Sequence, residues 1–324
     1  MLYPLLFKTI FKDKIWGGEK IRSILGKDFS PLPNCGETWE ISGVKGNISV
    51  VKDGALQGRD LMSLVQEYKG ALVGGKVYEE FGHEFPLLIK FIDANDDLSI
   101  QVHPDDALAK ERHDSFGKTE MWYIIQADQD AQLNAGFNRE IDEKIYLKHL
   151  DNNELHQILN FEKVEAGDVF FLPAGRVHYI GKGICLAEIQ QTSDITYRIY
   201  DFDRVDDQGN KRELHTEQAL AAIDYNYYGT YKTVYASEKN KSSQLVQCPY
   251  FTSNLLELDS TVSKDYSWVD SFVIYLCMEG EVSIQYGQGE MKIRKGDTIL
   301  VPAIFKNITL VPTAEAKLLE IYIE

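Results

Sequence analysis

Gln101 and His103 stand two residues apart in Leu98-Ser-Ile-Gln-Val-His103, a run whose branched side chains favour a β-strand. Side chains two apart on a strand point to the same face, so these two donors share one side. Glu120 opens the next strand-like run, and His178 opens a later one. Two imidazoles, one carboxylate and a neutral amide oxygen make a donor set for zinc that leaves a position for water or substrate. With a single carboxylate the site stays net positive, which suits a metal acting as a Lewis acid. A lone histidine is more often a structural or surface residue than a ligand; the shared face at 101 and 103 sets this group apart. The other five histidines, His83, His113, His149, His156 and His215, read as surface or loop residues.

Cations accompany the donors. Lys118 lies two before Glu120, which on a strand gives it the same face. Arg198 follows the strand that ends near Gln190. The chain carries a net charge of −16, so Lys and Arg gathered beside a metal point to an anionic ligand there. Two alternatives stand beside this reading: Arg198 paired with Asp201 or Asp203 at the surface, and Arg176 serving in its place.

The elements that must position these residues are mostly short strands. Leu87–Ile92, Leu98–His103, Met121–Ile125, Asp168–Leu172 and Ile184–Gln190 read as strands, and Glu37–Gly43 with Asn47–Val51 as a hairpin. In 57–83, Leu61, Leu64, Val65 and Tyr68 recur at helical spacing behind Asp60 as N-cap, a small helical insertion. Pro104–Arg112 reads as a helix with its proline early. Residues 139–160 read as helical, and His215–Ile223 as a helix with Thr216 as a cap. A Tyr- and Asn-rich stretch, 224–240, reads as a linker before the strands of 244–324.

Gly167-Asp-Val-Phe-Phe-Leu-Pro173-Ala recurs 129 residues later as Gly296-Asp-Thr-Ile-Leu-Val-Pro302-Ala. The first copy continues Gly175-Arg-Val-His178 and resembles the second motif of the cupin superfamily, a double-sheet jelly roll. The second copy has Ile304 and Asn307 where the motif has glycine and histidine. The expectation is a mainly β chain of two cupin-type jelly-roll barrels: residues 1–235 with the metal site and the insertion at about 57–83, and residues 236–324 without metal ligands.

Longer stretches are more specific. Pro86-Leu-Leu-Ile-Lys-Phe-Ile-Asp-Ala94, Leu98-Ser-Ile-Gln-Val-His-Pro-Asp-Asp106, Gly117-Lys-Thr-Glu120, Pro173-Ala-Gly-Arg-Val-His178 and Glu188 through Asp194 to Arg198 resemble the type I phosphomannose isomerases, zinc enzymes of the cupin superfamily, in their short bacterial form. That resemblance implies metal ligands at Gln101, His103, Glu120 and His178, and catalytic residues at Lys118, Arg198, Glu188 and Asp194. It implies interconversion of mannose 6-phosphate and fructose 6-phosphate through an enediol, with Zn2+ as cofactor. Lys-Thr-Glu stands where Lys-Pro-Glu is commoner in the family. The competing readings are a non-catalytic cupin that binds sugar phosphates and another cupin enzyme, such as a different sugar isomerase. An iron oxygenase would more typically offer a histidine where Gln101 stands.

Composition bounds the rest. The 324 residues hold 44% hydrophobic and 26% charged side chains, ordinary for a globular protein. The acidic balance argues against nucleic acid or an anionic membrane as partner. Four scattered cysteines without a CxxC suit free thiols, and with no recognisable leader the expected location is the cytoplasm, as a monomer or homodimer.

Overall fold

Four sheets stack in two facing pairs in the computed structural model, which describes residues 1–205 and 208–324. The site-bearing pair has a five-stranded outer sheet, ordered Tyr197–Tyr200, Ile100–Val102, His178–Ile180, Gln132–Phe137, Leu159–Lys163. Its inner sheet has six strands, ordered Ile10–Lys12, Glu37–Ile41, Leu87–Ala94, Ile184–Gln191, Glu120–Ala127, Val169–Leu172. Between them Ile92, Trp122, Ile124 and Leu186 of the inner sheet pack on Leu133, Ala135 and Ile180 of the outer one. The fold class is the mainly β, cupin-type one expected. Each sheet stays open at its edges, however, so the pairs are jelly-roll sandwiches rather than closed barrels.

The other face of the inner sheet is covered as well. Ile89, Phe91, Met121 and Ile189 pack against Ile274, Leu276, Leu319 and Ile321 of the C-terminal sheets. That double cover explains why Leu87–Ala94 and Ile184–Gln191, buried at every position, show apolar side chains on both faces instead of strict alternation. Each fully buried Leu, Ile or Phe contributes roughly 1.5–3 kcal/mol. The chain's first strand, Leu5–Leu6, pairs with Thr298–Val301 and so belongs to a C-terminal sheet.

The repeat seen in the sequence is a repeat in space. Val169–Leu172 edges Glu120–Ala127, and Thr298–Val301 lies beside Val273–Glu279 in the same antiparallel way. Gly167 and Gly296 turn the chain into these strands at φ of 94° and 89°, a region that favours glycine. Where the first pair aligns Lys90, Glu188 and Trp122 across three strands, the second aligns Asn254, Glu320 and Tyr275.

Some local expectations change. Asp60 caps Leu61–Tyr68 by accepting from Ser63 N, but two further short helices, Gly70–Val73 and Gly75–Phe81, follow it. Glu37–Ile41 pairs with Ile10–Lys12 and Leu87–Ala94, and of the expected hairpin only its tip forms, with Ser49 N donating to Ser42 O at 2.9 Å, because the buried central strand takes the rest of the ladder. Asp105 caps the helix Asp106–His113, leaving Pro104 outside it. His215, not Thr216, holds the cap position of Thr216–Ala222. Only Glu143–Asp151 and a turn at Leu155–Gln157 are helical within 139–160. The stretch 224–240 is strapped to the first pair, with Tyr231 Oη donating to Phe137 O at 2.8 Å and Tyr235 Oη to Gly167 O at 2.7 Å. No helix among the described residues is long and apolar enough to cross a membrane.

Candidate metal centre and adjoining cavity

Strand register brings the expected donors together. Arg198, Gln101 and His178 are direct neighbours across three strands of the outer sheet. His103 follows one of those strands, and Glu120 opens a strand of the inner sheet facing them. The side chains of His103, Glu120 and His178 are all buried, and their donor atoms lie within 4.8 Å of one another. His103 Nε2 is 3.6 Å from Glu120 Oε2, and His178 Nε2 is 3.5 Å from Glu120 Oε1. The half-buried Gln101 completes the group, its amide 3.3 Å from His178 Nε2.

The tautomers follow from the partners. His103 Nδ1 lies 2.9 Å from Ile195 O and His178 Nδ1 2.8 Å from Arg176 O. A carbonyl only accepts, so each Nδ1 carries the hydrogen and each Nε2 presents a lone pair to the centre. Burial, followed for His103 by the charge of Lys118, drives both imidazoles toward the neutral form, His178 down to about 4. His103 Nε2 and Glu120 Oε1 are buried without a hydrogen-bond partner. Lys118 Nζ approaches Glu120 Oε2 at 3.1 Å as an ion pair. Even so, burial and the neighbouring Glu188 charge push the Glu120 carboxyl up to about 7. Buried lone pairs with no donor, around a carboxylate short of positive charge, are what a divalent cation satisfies. The residues therefore fit a metal, and their N and O donors suit zinc among others.

A cavity of about 300 Å³ opens beside this centre. Lys14, Lys90, Lys118, Arg198 and Arg212 line it, against the acids Glu37, Glu188 and Asp194. An excess of cations inside so acidic a chain makes the cavity a place for an anion. Lys90 and Glu188 form a buried pair at 3.0 Å, and Trp122 Nε1 donates to the other Glu188 oxygen at 3.0 Å. Burial raises the Glu188 carboxyl, but Lys90 and then Lys118, whose Nζ is 4.0 Å away, outweigh it and hold it at about 2. Asp194 is exposed at the rim.

Both alternatives raised for Arg198 fail on geometry. Asp201 is taken by Arg204 and Arg212, and Asp203 by Lys211. Arg198 instead donates to Glu213 O at 2.8 Å, and its buried Nε has no partner. Arg176 donates to Phe171 O and stacks on Tyr228 and Tyr231, away from the cavity. Lys118 reaches Glu120 from the loop before the strand, not from the strand itself. His215 is not a plain surface residue: it is half-buried and its Nδ1 accepts from Arg198 N at 3.1 Å.

Sequence reading missed Lys90, Glu37, Lys14 and Arg212. Lys90 carried a signal: it interrupts Leu-Leu-Ile-Lys-Phe-Ile, and a lysine in a doubly covered strand needs a buried partner. Thr119, where proline is commoner, uses the hydrogen that proline lacks, since its N–H donates to Gln191 Oε1 at 2.8 Å.

Comparison with known proteins places the chain in a family. Residues 5–156 match the family model "Phosphomannose isomerase type I, catalytic domain", and residues 241–322 match "Mannose-6-phosphate isomerase, cupin domain". The mannose-6-phosphate isomerase of Streptococcus mutans is 36% identical over 312 residues, 95% of each chain. The Bacillus subtilis mannose-6-phosphate isomerase ManA is 35% identical over 308 residues, 92% of this chain and 93% of its own. A crystal structure of the mannose 6-phosphate isomerase from Bacillus subtilis superposes with a TM-score of 0.89 at 31% identity, covering 99% of both chains. A Salmonella typhimurium phosphomannose isomerase variant, at 16% identity and a TM-score of 0.79, shares the fold over 99% of both chains.

Proposed function

The chain belongs to the type I phosphomannose isomerases, and from that footing we propose that it interconverts D-mannose 6-phosphate and D-fructose 6-phosphate through an enediol, with zinc held by Gln101, His103, Glu120 and His178. The observation that carries this reading is the meeting of unsatisfied buried donors with a cation-lined cavity. A divalent ion there supplies a Lewis acid for the sugar's C1 and C2 oxygens and helps to hold the sugar.

The chain's own residues do the rest. Isomerisation moves one proton from C2 to C1 and a second from the C2 hydroxyl to the C1 oxygen, so the group that serves the carbons must reach both from one face. Lys118 sits between the metal donors and the cavity, 3.1 Å from Glu120 and 4.0 Å from Glu188. It is the group placed to carry the proton from C2 of the aldose to C1 of the enediol. Glu188, locked as a carboxylate by Lys90 and Trp122, fixes Lys118 rather than carrying the proton. Arg198, with an uncommitted Nε–H at the cavity, binds the phosphate. Asp194 at the rim hydrogen-bonds the sugar hydroxyls.

The same reading takes residues 1–235 as the catalytic unit, with the insertion at about 57–83, and residues 236–324 as a cupin-like unit without metal donors. It describes a cytoplasmic enzyme, monomeric or homodimeric, that acts on a sugar phosphate and on neither nucleic acid nor membrane. A coupled assay with mannose 6-phosphate, run with metal analysis, tests it. The expected result is about one zinc per chain, and loss of both zinc and turnover in His103→Ala and His178→Ala. Full turnover by metal-free His178→Ala protein would remove the proposal, and zinc without turnover would leave only a binding protein.

A further inference from the structure

The segment Gly117–Glu120 carries both Lys118 and Glu120, and its backbone is pinned residue by residue. Gly117 N donates to Asp106 Oδ1 at 2.8 Å, Lys118 N to Pro104 O at 3.1 Å, and Thr119 N to Gln191 Oε1 at 2.8 Å. Gln191 in turn donates its amide to the same Asp106 Oδ1 at 2.9 Å. Thr119 Oγ1 accepts from Ala174 N at 3.2 Å, in the turn that leads to His178. A Cβ on Gly117 would stand 2.6 Å from Asp106 N, so this segment lies directly on the start of the helix Asp106–His113. Asp106 is thus the hub that holds the Lys118 loop. Its second oxygen, Oδ2, accepts from Tyr250 Oη at 2.5 Å. Tyr250 comes from the C-terminal sheets, between Ser242–Gln247 and Thr252–Leu258.

We propose that Tyr250 is a positioning residue for Lys118 and Glu120: the C-terminal pair of sheets reaches across through this phenol and fixes the Asp106 carboxylate, which fixes the loop. This rests on the functional reading above. The half-buried Asp106 carboxylate, released by Tyr250, can turn toward water and take with it the bonds to Gly117 and Gln191. Misplacement of a catalytic group by about 1 Å costs on the order of a hundredfold in rate. A loop that still keeps its Pro104 and Ala174 bonds should lose less, about tenfold.

The test uses the full-length, zinc-loaded protein. Tyr250→Phe removes one O–H and no packing. Its kcat for mannose 6-phosphate is expected to fall about tenfold, with KM within twofold of wild type. Zinc loss to a chromophoric chelator is expected to quicken about tenfold, since Lys118, whose Nζ holds Glu120 Oε2 at 3.1 Å, moves with the loop while the Glu120 backbone stays in its ladder. Asp106→Asn offers an oxygen to Gly117 and Gln191 and an N–H to the Tyr250 oxygen, and should keep kcat near wild type, whereas Asp106→Ala should lose what Tyr250→Phe loses. Tyr250→Phe within twofold of wild type in both kcat and zinc release overturns the proposal, as does a loss of kcat that follows only a lower folded fraction. Should Tyr250→Phe not fold, Asp106→Ala is read by the same two assays, and kcat and zinc release within twofold of wild type there overturn the proposal. Wild-type protein with neither zinc nor turnover would instead remove the functional reading on which the proposal stands.

Discussion

Replacing Lys90 by Met takes the cation from the middle of the inner sheet and strands the Glu188 carboxylate. Lys90 and Glu188 are 4% and 3% exposed and 3.0 Å apart. Removing one partner of a buried pair costs about 3–5 kcal/mol, because the remaining charge stays buried alone. The Glu188 carboxyl, held at about 2 against an ordinary 4.5, points to a similar size: at roughly 1.4 kcal/mol per unit this is about 3 kcal/mol of preference for the ionised form. Lys118 at 4.0 Å and the Trp122 N–H remain, so the lower end applies. Urea unfolding at pH 7 should show a loss of about 3 kcal/mol as a lower midpoint with unchanged slope. Lys90→Met combined with Glu188→Gln should recover more than half of that loss, since neither charge is then unpaired. A single-variant loss below about 1 kcal/mol, the range of a surface pair, would refute the reasoning. So would a double variant as unstable as the sum of the two singles.

The same pair sets a pH dependence. Because the folded-state Glu188 pKa is depressed, its contribution is complete above about 4.5 and disappears as the pH falls through about 2. The stability difference between wild type and Glu188→Gln should therefore be flat above that window and shrink on acidification within it; a difference that grows there counts against the assignment. Arg198→Ala should keep its metal and raise KM for mannose 6-phosphate about tenfold to a hundredfold, the worth of a hydrogen bond to a charged group; unchanged KM and kcat would take Arg198 out of the site. Lys118→Met should also keep its metal and lose about 10²- to 10⁴-fold in kcat, the usual share of general acid–base catalysis, and a loss of only a few-fold would move the proton-carrying role elsewhere.

What the sequence disclosed follows from how local each signal is. The same-face pair at 101 and 103 needs only the strand's period of two, and the repeat needs only a constant offset, so both were readable in advance. Glu120 and His178 could be added as donors from residue type and from the cupin spacing around His178, and the matched text of a known family gave the same set, although their meeting depends on how two sheets face each other. Lys90, Glu37 and Lys14 reach the cavity by strand order: Glu37–Ile41 leaves all but the tip of the apparent hairpin to pair with Leu87–Ala94. No local pattern records that exchange. Tyr250 and Asp106 are 144 residues apart, and their contact depends on two sheet pairs docking. Helix caps at Asp60 were legible from residue type, whereas the shift from Thr216 to His215 turns on a single-residue boundary, where local signals are weakest.

X-ray scattering measured across the zinc absorption edge, on a crystal of the purified protein, tests the central claim most directly. The expected result is one anomalous peak bounded by His103 Nε2, His178 Nε2 and a Glu120 oxygen, at about 2.0–2.2 Å from each. An absent peak there, in crystals of protein that turns over mannose 6-phosphate, or a peak at any other group of residues, would contradict it.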